Sequence, residues 1–590
     1  MQKYRESIVT LEDAKKKLKA KDNQLAIVRL ICIVSFVILI YQFLIRTEFI
    51  WLAASIFTLI GFLFLIKLHD SIKWRLQFIT EKIKVNNDEI TFLEGDLSPF
   101  ENGHENIDPH HPYSYDLDFF GDHSIFQAIN RTGTVSGKER LAQHLIQIQT
   151  PQNILQTQEA VKELTPRSEW RQNMQALARM QPDSQDSYQG LLAWSSQAPA
   201  RISKAVDVFS YLFPVGIVAT CISYFLMDGG ISGNIFWLLF LTNLAILGSR
   251  LKSIKAELTS TTKIEKVLKQ YSLLLKEIEN QHFESAKLVE LQNRLKTQQV
   301  NSSEAIHRLA LLFGRMEHVE NVFASPILNG LLLYHIHVLR GLWVWRKKYA
   351  THISDWLDVI GEFETLNSLA NFSANHPGYT FPKINDRYDI SFEDLGHPLI
   401  FKSKAITNSI SFSEHRFFIL TGSNMSGKST FLRAVGTNMV LAGVGAPVFA
   451  SAADIHPLPL MVSMRLSDSL ADSESLFYAE VKRLKSVVKT LNQKPCFVLL
   501  DEILRGTNSD DKRTGTIEVI RKMTDKQAFG GIATHDLEVC NVAQEHPDTL
   551  INKRFEVEII NDELVFDYAL KDGVCENKSA SFIMKKMGVI

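Results

Sequence analysis

The sequence predicts an all-α core and lever region with two transmembrane helical hairpins, followed by an α/β domain of P-loop NTPase type with a mainly parallel sheet. Three observations predict it. Four apolar runs are grouped in two pairs, each joined by a short polar or glycine turn. Around those pairs, apolar residues recur at helical spacing, as from Ile264 to Ile278. From Phe417 to Ala533, short β-type runs alternate with helix-compatible stretches, and the first run leads straight into Gly422-Ser423-Asn424-Met425-Ser426-Gly427-Lys428-Ser429.

The bulk composition narrows the function classes. At 590 residues the chain has room for several domains. Lys plus Arg number 64 against 65 for Asp plus Glu, a formal net charge of −1, so any nucleic-acid contact requires a local basic patch. Cys32, Cys221, Cys496, Cys540 and Cys575 show no CxxC spacing, which excludes a disulfide framework or a cysteine zinc site and suits a reducing compartment.

In chain order, a lysine-rich segment (Lys15, Lys16, Lys17, Lys19, Lys21) precedes the apolar runs Leu25 to Ile45 and Phe49 to Ile66, separated by Arg46-Thr47-Glu48. Each run matches the roughly 20 residues that a helix needs to cross a hydrocarbon core of about 30 Å. The second run and the lack of a small-residue cleavage site separate this pattern from a signal peptide. A buried soluble hairpin is the alternative. Val208 to Met227 and Ile231 to Ser249, joined by Asp228-Gly229-Gly230, predict a second hairpin despite Pro214, which membrane helices tolerate. Lys67, Lys73, Arg75, Arg201, Lys204, Arg250, Lys252 and Lys255 flank both hairpins on the side of the long soluble segments. That asymmetry orients the turns outward and the rest to the cytoplasm of a multi-pass inner-membrane protein.

Residues 96–114 read as a linker, and His104, His110 and His111 within it lack a regular metal-ligand spacing. No Gly or Pro occurs between Ser249 and Phe313, which predicts one long helix projecting as an arm. Ile327 to Trp345 is apolar but contains His335, His337 and Arg340, each expensive in lipid, so it is expected to be a core helix of a soluble domain, with a third membrane passage as the alternative.

The chemistry is expected around Gly422 to Thr430. Glycines at 422 and 427 let the backbone turn tightly, so that N–H groups and a helix start face phosphate oxygens. Lys428 is placed for the β- and γ-phosphates, and Ser429 for Mg2+. The buried run Cys496 to Leu500 ends in Asp501-Glu502, which predicts a metal-holding carboxylate and, next to it, a residue that orients or deprotonates the attacking water. Phe529 to Ala533 leads to Thr534-His535, where a histidine senses the γ-phosphate or that water, or is an ordinary polar residue at a sheet edge.

TGSNMSGKSTFLRAVG, LLDEILRGTNSDD and ATHD, in this order and spacing, resemble the ATPase domain of the MutS family, better known for DNA mismatch repair. Gly396-His397-Pro398-Leu399 is similar to that family's entry into the domain, and Asn130-Arg131-Thr132 with Gly137 to the start of its helical core. The stretch Ser475 to Glu480 resembles its serine, aromatic and glutamate segment. The resemblance implies ATP with Mg2+, a homodimer with composite sites in which Ser475 acts across the interface, and DNA as a partner. It covers about 391–590 strongly and about 115–380 moderately, with nothing N-terminal resembling the mismatch-reading domain. Lys512 replaces the glycine expected after the aspartate of the signature loop. The resulting division is 1–95 N-terminal transmembrane hairpin, 96–114 linker, 115–385 helical core and lever with the second hairpin at about 206–249, and 386–590 P-loop ATPase domain. Alternatives are an ATP-driven membrane switch with a protein partner and no DNA, or a transporter ATPase, against which stands the lack of an LSGGQ-like stretch before Asp501.

Overall fold

In the computed structural model, residues 1–197, 204–226, 230–259, 264–296, 300–317, 319, 321, 323–465, 476–560 and 563–575 are described. An all-α N-terminal region precedes an α/β domain. The first two helices, Gln2–Arg46 and Phe49–Leu93, are 45 residues each, about 67 Å at roughly 1.5 Å per residue. They pair along their length and turn at Thr47, whose φ of 53° and N–H bond to the Phe43 carbonyl close the first helix. Both carry an apolar window of mean hydropathy 2.5 that is almost wholly exposed, as do, less strongly, Ala205–Tyr224 and Ser232–Lys255. Below the first pair's apolar windows the helices become polar and zip together, with the His69 ring 3.5 Å from Asp22.

The base of that hairpin is locked into the helical core by a buried ion pair. Glu89 receives Arg131 Nε at 2.5 Å and Nη2 at 3.1 Å, and the amides of Asn371 and Asn375 at 2.8 Å each. The Arg131 guanidinium lies over Phe100 at 3.5 Å and Phe92 at 4.6 Å. A buried charge pair is tolerated when every remaining donor and acceptor is satisfied; here Arg131 Nη1 also reaches the carbonyls of Ala128 and Asn130. The helix Ile353–Asn375 is the core's axis, buried along most of its length.

Two helical expectations are corrected. The stretch after Ser249 is not a single arm: a helix ends at Asn280, the chain turns at Gln281–Ser285, and Ala286–Arg294 and Ser302–Glu317 come next. Gln292 Nε2 caps the break by donating to the carbonyls of Ile278 and Gln281, so an apolar period without Gly or Pro did not need to be one helix. The seam itself is real, with Leu268, Tyr271, Leu275 and Ile278 fully buried. Ile327 to Trp345 is likewise not one core helix, because Leu333 adopts φ 47° and divides it into Ala324–Leu332 and Tyr334–Tyr349; Ala324–Leu332 is bent by 78° from the helical stretch Tyr334–Asn375. The histidines of 96–114 do not gather: His104 and His110 are exposed, while His111 accepts the Ser114 N–H at 3.0 Å.

The α/β domain holds strands β1 (Lys383–Ile384), β2 (Ser391–Leu395), β3 (Asn408–Ser411), β4 (Phe417–Thr421), β5 (Ala452–Ile455), β6 (Leu460–Ser463), β7 (Phe497–Asp501), β8 (Phe529–Ala533), β9 (Leu550–Arg554), β10 (Val557–Ile560), β11 (Glu563–Phe566) and β12 (Lys571–Asp572). The main sheet has the order β12-β9-β4-β8-β7-β6, parallel except for β12. β4, β7 and β8 are buried on both faces, as their unbroken apolar runs require in a covered parallel sheet. A smaller sheet, β1-β5-β2-β3, packs beside it, and β10-β11 form a hairpin.

Candidate nucleotide site

Register brings the chemistry together. Leu420 on β4 lies opposite Ala533 on β8, and Ala533 opposite Asp501 on β7, so three strands end at one level on the sheet's C-terminal edge. The segments leaving these strands therefore meet at one place, the crevice in which open α/β sheets hold ligands. From β4 comes the loop 422–427, from β7 Glu502, and from β8 Thr534-His535. β8 is flanked on both sides, which removes the sheet-edge reading of His535.

The loop turns through two non-helical residues, Met425 at φ 68°, with its side chain 80% exposed, and Gly427 at φ 99°. Gly427 is the N-cap of the helix Lys428–Gly443. A Cβ there would be 3.0 Å from the Tyr568 ring, so both conformation and space call for glycine. Lys428 folds back over the loop, its Nζ donating to the carbonyls of Gly422 at 2.8 Å and Ser423 at 3.0 Å. Burial pulls its pKa below the ordinary lysine value, against the pull of Glu502 and Asp501. Ser429 donates to Asp501 Oδ2 at 2.6 Å. Burial raises the Asp501 pKa, and the Ser429 bond opposes it.

Glu502 takes the left-handed conformation at φ 48°, held by its N–H bond to the Ala533 carbonyl at 3.0 Å. Its carboxylate pairs with His535 Nε2. The His535 hydrogen bond, with the ring's charge, Arg505 and Lys428, brings the Glu502 pKa down to about 2 against the opposing effect of burial. The other ring nitrogen of His535 lies 3.2 Å from the Gly422 carbonyl and 3.5 Å from Lys428 Nζ, so one ring touches loop, lysine and glutamate.

Three buried polar atoms at this edge, Ser423 Oγ, Ser426 Oγ and Asp501 Oδ1, have no protein partner. Unpaired buried acceptors and donors are costly, and a phosphate with a divalent cation satisfies all three. The residues present thus fit Mg2+ and a phosphate chain. Beside the loop opens a cavity of about 480 Å³, bounded by Asn424 to Phe431, Gly396, His397, Ile406, Phe555 and Tyr568. Burial and the nearby Arg433 push the His397 pKa down to about 4, so its ring is neutral near pH 7.

Of the expected residues, the structure gathers Gly422 to Thr430, Asp501, Glu502 and His535; Ser475 lies outside the described residues. Sequence reasoning missed Arg505, although it stands in the LLDEILRG stretch. Arg505 Nε donates to the Glu502 carbonyl at 2.8 Å, and its N–H to Glu480 at 3.1 Å. Phe555 and Tyr568 were also missed, and no spacing could have found them. Tyr568 is held through Asn408, whose side chain donates to the Tyr568 carbonyl at 3.0 Å and accepts the Leu570 N–H at 2.7 Å.

Residues 418–589 match the family profile of MutS domain V. The DNA mismatch repair protein MutS of Ehrlichia ruminantium is 30% identical over 247 residues, 41% of this chain and 30% of that protein. MutS protein homolog 4 of Homo sapiens is 28% identical over 234 residues, covering 38% and 24%. The DNA mismatch repair protein MutS of Desulfatibacillum aliphaticivorans is 26% identical over 238 residues, covering 39% and 26%. The match thus spans 24–30% of the length of these relatives.

Proposed function

From the premise that the chain is a MutS-family member through its C-terminal part, we propose that it is a membrane-anchored ATPase, with its nucleotide domain in the cytoplasm and composite sites in a homodimer. The observation that carries this reading is the convergence of Lys428, the Ser429–Asp501 pair and the Glu502–His535 pair on one strand-end crevice beside orphaned polar atoms. Lys428 and the loop N–H groups would bind the β- and γ-phosphates, and Ser429 with Asp501 would hold Mg2+. An ion held there would supply positive charge against that developing on the transferred phosphoryl group. Held near 2, Glu502 stays ionised and accepts a hydrogen bond from the attacking water; its weak basicity puts orientation ahead of proton abstraction. His535 fixes that carboxylate and reports on the loop through Gly422 and Lys428.

The anchoring half of the reading is supported by four helices among the described residues that are long and apolar enough to span a bilayer, with little of each apolar window buried. DNA as partner is supported by kinship alone. A second reading, an ATP-driven switch acting on a protein partner, is favoured by one specific observation. Gly396, His397 and Ile400 line the nucleotide cavity, while Ile400 and Phe401 line a second cavity of about 400 Å³ whose other wall is Phe92, Leu93 and Gly95 at the base of the first hairpin. A movement of this segment on nucleotide binding would thus reach the anchoring helices directly.

Lys428→Ala is expected to abolish ATP binding, and Glu502→Ala to retain binding without turnover, in isothermal titration and phosphate-release assays on the full chain in nanodiscs. Unaltered hydrolysis by Glu502→Ala would remove Glu502 from the mechanism. Filter binding over a salt series separates the partners, since phosphate contacts weaken steeply as salt rises.

A further inference from the structure

We propose that residues 323–340 form a re-entrant segment that dips into the lipid beside the second hairpin and leaves on the same side; this rests on the membrane reading of that hairpin. Two independent rulers set its depth. On one side, Arg340 Nε donates to Asp207 at 2.8 Å and His337 Nε2 donates to the Ser210 carbonyl at 3.0 Å, so the helix Tyr334–Tyr349 runs antiparallel to Lys204–Leu226. From the Arg340–Asp207 pair to Leu333 is about 10 Å at roughly 1.5 Å per residue. On the other side, Asn243 Nδ2 donates to the Gly330 carbonyl at 2.8 Å. Asn243 stands about 10 Å up its own helix from Arg250, by the same rise. Both place the break at Leu333 about a third of the way into a core of about 30 Å.

Irregular backbone survives at such depth only where its polar groups are satisfied within protein. Two buried asparagines do this. Asn329 Oδ1 accepts the His335 N–H at 2.9 Å, an orphan donor of the helix that starts after the break. Asn243 donates to Gly330, whose carbonyl belongs to the last turn of the helix that ends before it. Of the charged and imidazole groups that made the stretch expensive, Arg340 pairs with Asp207 and lies over the Tyr211 ring at 4.5 Å and His337 pairs with Ser210, both at the boundary, while His335, beside the break, is buried with its Nδ1 2.7 Å from Asn329 Nδ2.

The helix Ala324–Leu332 buries Ser325, Asn329 and Gly330 against the hairpin and turns apolar side chains outward, with Phe323 85%, Ile327 57% and Leu332 48% exposed. The neighbouring helix Lys204–Leu226, which touches this one, also exposes the apolar side chains of Val208, Leu212 and Val215. Contact with a helix that exposes apolar side chains in the same way, together with a backbone sealed on its inner side, selects acyl chains as its occupant.

The test uses the full chain in nanodiscs, with Cys32 and Cys221, the two natural cysteines that are not buried, replaced by serine. An environment-sensitive fluorophore is attached at Ile327→Cys, Leu332→Cys or, as a reference, Val215→Cys; all three sites are exposed, so the fold tolerates them. Brominated acyl chains are expected to quench the fluorophore at 327 and 332 as strongly as at 215, with iodide excluded from all three. Quenching at 215 with free iodide access at 327 and 332 would overturn the re-entrant segment and leave the hairpin standing. Protection at 327 and 332 from both quenchers would overturn it in favour of a protein or a second copy covering this face. Loss of lipid quenching at 215 as well would remove the membrane reading itself.

Discussion

Replacing His535 by alanine should return a titratable proton to Glu502. The carboxylate is held at about 2 rather than its ordinary 4.5, first through the hydrogen bond from His535, while burial works in the opposite direction. That difference corresponds to about 3 kcal/mol between the two protonation states. The His535 side chain is 37% exposed, so solvent screening lowers the pair's worth to roughly 1–2 kcal/mol. In His535→Ala the Glu502 pKa should therefore rise by about 0.7 to 1.5 units. The sign comes from linkage: a carboxylate depressed in the folded state stabilises above its unfolded value near 4.5, and that contribution is lost as pH falls through about 2. Carbodiimide reacts with the protonated acid, whose fraction at pH 5 is about 0.001 for a pKa of 2 and about 0.2 for 4.5. Labelling of the Glu502 peptide at pH 5, read by mass spectrometry, should rise about five- to thirtyfold in His535→Ala. Equal labelling in the two proteins would show that His535 does not hold Glu502 ionised, and the electrostatic coupling of glutamate, histidine and loop would fall with it.

Two further outcomes bear on the loop and the anchor. Gly427→Ala forces a side chain into a φ of 99° and against Tyr568, so nucleotide affinity, read by calorimetry, should fall by about 1–3 kcal/mol while the sheet stays intact by circular dichroism. Glu89→Ala leaves Arg131 charged and buried, a loss of about 3–5 kcal/mol; limited proteolysis should then cut near residues 94–105 faster than in the parent, and unchanged protection would deny the pair its anchoring role.

The strand, turn and helix around residues 422–427 were legible because the residues are contiguous: two glycines, a lysine and a serine at fixed offsets after an apolar strand encode one local turn. Asp501-Glu502 and His535 were legible for a related reason, since acidic or imidazole groups at the ends of buried strands emerge on the same sheet edge in any parallel register. The expected long arm failed because periodicity reports which face is buried and not where a helix stops; the Gln292 caps that end it at Asn280 come from another helix.

The apolar hairpins and the strand, loop and helix around Lys428 are determined by the sequence alone, because each is specified by residues within a few turns of one another. Tertiary structure decided the rest: that Arg131 pairs with Glu89, that Tyr568, held through Asn408, walls the cavity beside the 422–427 loop, and that Asn243 and Asn329 seal the break at Leu333. Those partners lie far apart in the chain or across a break in a helix. A buried polar group declares only that it needs a partner, and which one it finds depends on how the helices and strands come to rest against each other.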